Sequence, residues 1–101
     1  MFQVIDTESR QQFSPADVQP IMLHQSEGLV AVLLCLEPGQ SVGPCVMSMR
    51  VLYSVMAGRG QLSVVEEQAE LKAGSVVVVP AGVVRRLTAE ERMRVLAVQV
   101  P

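Results

Sequence analysis

The chain of 101 residues predicts an all-β fold, an antiparallel sandwich or barrel, on three observations. Five short runs are rich in Val and Leu: LVAVLLCL at 29–36, RVLYSVM at 50–56, QLSVV at 61–65, SVVVVP at 75–80 and RMRVLAVQV at 92–100. Turn signals separate them at short, regular intervals: EPGQ at 37–40, GP at 43–44, AGRG at 57–60, KAG at 72–74 and PAG at 80–82. No stretch sustains helical periodicity; one short helix or turn is expected at SPADVQ, with Ser14 as N-cap and Pro15 in the first turn.

The length allows one domain and one core, expected to span residues 1–101, with an N-terminal segment and first strands over 1–28 and the barrel core over 29–100. Half of the residues are hydrophobic, which excludes a disordered chain. Net charge is −2, the basic residues are scattered and only three residues are aromatic, so no nucleic-acid surface is expected. The longest apolar run, LVAVLLCL, is too short for a membrane span, and MFQVIDTESRQQF lacks the basic and apolar regions of a signal peptide. A cytoplasmic protein with two free thiols, Cys35 and Cys45, is the expectation.

LVAVLLCL and VVVV are apolar at consecutive positions, so both of their faces need cover. One face fills the interior. A subunit interface is the simplest cover for the other, and a homodimer is expected. The acidic clusters EEQAE at 66–70 and TAEER at 88–92 read as solvated turns. His24, the only histidine, reads as a structural or exposed residue.

From Gly39 onward the turn residues fall at the spacings of two known motifs. Gly39 and Gly58 frame the first, G-x5-HxH-x3,4-E-x6-G; Gly74, Pro80 and Gly82 frame the second, G-x5-PxG-x2-H-x3-N. On these residues the chain resembles the cupin superfamily, specifically the small single-domain conserved-barrel kind. The resemblance implies a jelly-roll barrel, a double-stranded β-helix with its site inside the barrel mouth. It would also imply a metal, but each ligand position is changed: the histidines are replaced by Cys45, Met47 and Arg85, the glutamate by Val51, and the asparagine by Ala89.

Val51 cannot coordinate a metal and Arg85 would repel one, so no metal and no cofactor is expected. The expected function is a metal-independent module binding a small, anionic molecule. Its apolar pocket would carry Cys45, Met47, Met49, Val51, Tyr53 and Arg85, with Arg85 gripping a carboxylate or phosphate and the Tyr53 hydroxyl as a polar anchor. Because a hairpin turn should fall near residues 48–50, Met49 need not face inward. Two alternatives stand beside this reading. One is an enzyme, using Cys45 as a thiol activated by Arg85 or holding a soft metal at Cys45 and Met47. The other is a purely structural homodimer whose cavity is filled by its own side chains.

Overall fold

The computed structural model describes residues 1–101 as nine strands and one helical turn. The strands are β1 (Gln19–Ser26), β2 (Leu29–Leu36), β3 (Ser41–Cys45), β4 (Arg50–Ala57), β5 (Arg59–Val64), β6 (Glu67–Lys72), β7 (Val76–Val79), β8 (Arg85–Ala89) and β9 (Met93–Val100). All pairings are antiparallel. They form a five-stranded sheet in the order β1-β2-β9-β4-β7 facing a four-stranded sheet in the order β3-β8-β5-β6. No helix is long and apolar enough to cross a membrane.

Alternation along each strand divides its side chains between two layers. Leu34, Leu36, Val51, Tyr53, Val55, Val79, Val95 and Ala97 of the larger sheet meet Leu62, Leu71, Leu87 and Ala89 of the smaller one in the main core. Leu33, Cys35 and Leu23 point the other way, into a second small cluster on the outer face of the larger sheet. That face is where the expectation of a subunit cover needs correction. Ile5 and Phe13 of the chain's own N-terminal segment pack there, and Gln11 accepts a hydrogen bond from Arg94 at 3.1 Å. The doubly apolar strand β2 is therefore covered on its outer side, at Leu33 and Cys35, without a second subunit.

Two local expectations also change. The helical turn is Thr7–Arg10, capped by Asp6, whose carboxylate accepts from the Glu8 amide. Residues 15–17 form only a bend, with the Ser14 hydroxyl accepting from the Ala16 amide. A side-chain bond of that kind offers the backbone an alternative to a helix. The acidic run is not all turn either: Val65 and Glu66 make the turn, Val65 with a φ of 54°, and Glu67 begins strand β6. That strand is an edge, and its exposed charges discourage pairing with another chain. Glu90 and Glu91 do lie in a bend, 3.7 and 3.8 Å from Arg59.

Gly58 shows why one motif spacing is rigid. It joins β4 to β5 at φ 84°, and a Cβ there would fall on the Arg92 carbonyl. No other residue fits that approach without moving the β8–β9 connection.

Candidate functional site

The cross-strand register defines which residues share the end of the barrel built by the two motifs. In the smaller sheet Cys45 pairs with Arg85, Arg85 with Val64, and Val64 with Glu67. In the larger sheet Val30 pairs with Gln99, Gln99 with Val51, and Val51 with Val79. Val51 and Arg85 are the buried members of these rows, and the Arg85 guanidinium crosses the interior to Tyr53 of β4, whereas Glu67 is exposed. Cys45 reaches its place through an irregularity at Gly43 and Pro44, which inserts one extra residue opposite β8. Bulges of this kind often re-aim side chains beside functional sites.

Arg85 is the centre of this end, at 1% exposure the one charged residue in the core. It neither reaches out to solvent nor pairs with an acid. Its Nε donates to the Val83 carbonyl at 2.9 Å, its Nη2 to the Pro80 carbonyl at 3.0 Å, and its Nη1 to the Tyr53 hydroxyl at 3.3 Å. The first two acceptors lie in the loop just before β8, so the guanidinium folds back on its own approach and braces it against β4. Three neutral acceptors satisfy donors, but they do not neutralise the charge.

The other expected residues are distributed unevenly. Val51 and Tyr53, 2% and 4% exposed, belong to the core, and Met47 packs against it half-buried. Cys45 is half-buried and stands opposite Arg85 in the register, but the guanidinium bonds elsewhere. Met49 lies in the bend before β4 and joins neither cluster. Arg86 is exposed, and His24 is held by Gln3 at 3.0 Å and Ser26 at 2.8 Å.

The residues do not fit a conventional divalent metal. No three of His, Cys, Asp or Glu come together anywhere in the chain. Val51 is sealed into the core, and a buried cation occupies the position of the fourth ligand. A divalent ion there would meet repulsion in place of a donor.

Open space lies beside this row. A cleft of about 230 Å³ opens between the edge strands β6 and β7, where the two sheets are not joined. Leu62, Val64, Val77, Val79 and Pro80 form its apolar walls, with Glu67 among its few polar residues. Two of those residues touch the Arg85 position: Val64 is its cross-strand neighbour and the Pro80 carbonyl accepts from it. A second recess, lined by Arg59, Glu70, Lys72 and Ser75, has no apolar wall. Val64 and Gln99 carry no signal in the sequence that marks them for the site, and Glu67 was expected only as part of a solvated turn. Strand alternation could have placed Gln99 inward, as the partner of Val51.

No family model matches the chain, and neither does any curated protein. Solved structures do. The TT1209 protein of Thermus thermophilus is 26% identical with a TM-score of 0.92, over 99% of this chain and 98% of that one. An RmlC-like cupin from Desulfovibrio desulfuricans is 19% identical with a TM-score of 0.89, over 100% and 98%. A cupin superfamily protein from Desulfitobacterium hafniense is 19% identical with a TM-score of 0.87, over 99% and 92%. The two facing antiparallel sheets, the motif spacings and these likenesses agree: by fold, the chain is a small cupin barrel, a double-stranded β-helix.

Proposed function

We propose that this cupin is a metal-independent binding module for a small amphiphilic anion. The apolar body of the ligand enters the cleft between β6 and β7, and its carboxylate or phosphate is drawn to Arg85. The observation that carries this reading is the buried guanidinium without a carboxylate partner, directly behind the Val64–Pro80 wall of an apolar cleft. A buried charge is costly until an opposite charge reaches it. Replacing the long bond to Tyr53 with one to an anionic oxygen would supply that charge, and charge-assisted bonds of this type are roughly twice as strong as neutral ones. Cys45, Met47 and Val51 serve as the sulfur-rich and apolar surround.

A series of alkyl carboxylates and the matching alcohols, measured by thermal shift in the presence of a chelator, tests this reading. Carboxylates should raise the melting temperature, more so with longer chains, and alcohols should not. Val64→Phe, which fills the cleft and leaves Arg85 in place, should abolish the shift. Equal shifts with alcohols, or none with any anion, would remove the proposal. A second reading is a purely structural barrel, favoured by the three internal acceptors that already occupy Arg85. It expects no anion to act through Arg85 at all.

A further inference from the structure

The cleft between β6 and β7 is charged at one end only. On β6, alternation and register put Glu67, Ala69 and Leu71 on the inward side, opposite the inward positions Val64, Leu62 and Gly60 of β5. Leu71 is 5% exposed and belongs to the core. Ala69 and Glu67 face the same way and are nevertheless exposed, because β6 ends its sheet and the small Ala69 side chain fills little of the gap. The inward column of β6 thus runs from a buried leucine through alanine to a carboxylate. That carboxylate stands at the Arg85 end.

Glu67 and Arg85 lie on one cross-strand row with Val64 alone between them. Two strand spacings set their backbones about 10 Å apart. Neither charge is met by a group of opposite sign. Arg85 donates to neutral oxygens only, and the salt bridges of the chain join Arg59 to Glu90 and Glu91 and Arg92 to Glu37, leaving Glu67 without a cation. An unpaired glutamate on the outside of a strand is ordinary. On the inward column of an apolar cleft it opposes any plain anion that Arg85 attracts. A ligand carrying a cationic group beside its anionic one turns that repulsion into attraction.

We infer that the ligand of this cleft is a zwitterion with an apolar chain, of the type of an aliphatic α-amino acid. Its carboxylate is taken by Arg85 and its ammonium by Glu67, while its chain lies against Leu62, Ala69, Val77 and Val79. This assignment rests on the anion reading of Arg85 and narrows it. The amino and carboxylate groups of an α-amino acid are joined through one carbon, so two long side chains flanking a single valine can close on that head group from both sides. Val64 is β-branched and stiff, and it keeps the two charges from neutralising each other when the cleft is empty. The apolar chain then points along β6 toward Ala69 and Leu71, away from both charges.

Calorimetric titration of the whole chain with octanoate and with L-2-aminooctanoate, at neutral pH and low salt, tests the inference. The two probes share a chain and a carboxylate and differ by the ammonium group. The wild type should bind L-2-aminooctanoate about fivefold more tightly, the upper range for one ion pair at an exposed position. Glu67→Gln should erase that preference and leave octanoate binding unchanged or stronger. Glu70→Gln, which removes the same charge from the outward side of the same strand, should leave the preference intact. Equal binding of the two probes by the wild type would overturn the zwitterion while the anion reading stands. So would a preference that survives Glu67→Gln, or one that Glu70→Gln also erases. Binding of neither probe would overturn both readings together.

Discussion

At the end of the barrel away from Arg85, the interior rows hold Leu34, Leu36, Val55, Met93 and Val95 against Leu71 and Ala89, with no polar group among them. At the motif end, around Arg85, the corresponding rows hold Gln99 and Val51 against Cys45 and Arg85, and the Tyr53 hydroxyl, one row deeper, accepts from the guanidinium. Both ends belong to the same two sheets and are framed by similar turns. One end only minimises the free energy of burial; the other retains a charge that burial alone would eliminate. The proposed ligand at the motif end would account for that asymmetry.

The largest effect should come from the apolar end. Leu36→Ala removes a fully buried side chain and should destabilise the protein by about 2–5 kcal/mol in denaturant titration. Arg85→Met should cost less, about 1–3 kcal/mol, because it leaves buried acceptors unpaired while removing a buried charge. If Arg85→Met proved as damaging as Leu36→Ala, the arginine would be a structural pillar and the contrast between the ends would collapse. Tyr53→Phe should cost about 0.5–1.5 kcal/mol, the loss of one long hydrogen bond.

Much of the fold was legible because backbone punctuation and strand composition are local properties. LVAVLLCL became β2 without adjustment, and Gly39, Gly58, Gly74, Pro80 and Gly82 keep the motif spacing although the ligand positions hold other residues. Strands lacking an apolar run were harder to see. β3 (SVGPC) is broken by Gly and Pro, β6 (EQAELK) is an exposed edge, and β8 (RRLTA) begins with the two arginines. At the site, motif spacing brought Cys45 and Arg85 to one place. It did not reveal that the guanidinium would turn back to Val83 and Pro80, since those bonds depend on the path of the preceding loop. Nor did it reveal the cleft, which exists because β6 and β7 end up as the unpaired edges of different sheets. The cover over the outer face was missed because the apolar residues of 1–18, chiefly Met1, Phe2, Val4 and Ile5 with Phe13 well apart, form no run or period that reads as an element.

Cysteine chemistry offers a milder test of the two ends. Cys35 is fully buried and Cys45 half-buried, so a thiol reagent should label Cys45 in the native protein and Cys35 only on unfolding. Equal labelling would mean that the outer cluster opens as readily as the motif end. The smallest effect lies at the rim of the apolar end. There Glu37 accepts two hydrogen bonds from Arg92, at 2.6 and 2.9 Å, and Arg92 stacks over Phe13 at 4.3 Å. The hydrogen bond from Arg92 holds the Glu37 carboxyl below its ordinary range. Its contribution is thus present above the ordinary glutamate range and is lost as pH falls through the lowered value. The melting-temperature advantage of wild type over Glu37→Gln should be slight at neutral pH, since the pair is exposed, and should vanish on acidification.

The most direct measurement is the Nε–Hε resonance of Arg85 followed by NMR while a chelated sample of the wild type is titrated with octanoate. Octanoate should produce a saturable shift of that resonance, accompanied by shifts of the Val64 and Val79 methyl groups and absent with octanol. An Arg85 resonance that stays fixed while octanoate binds elsewhere, or while it does not bind at all, would contradict the proposed binding at Arg85.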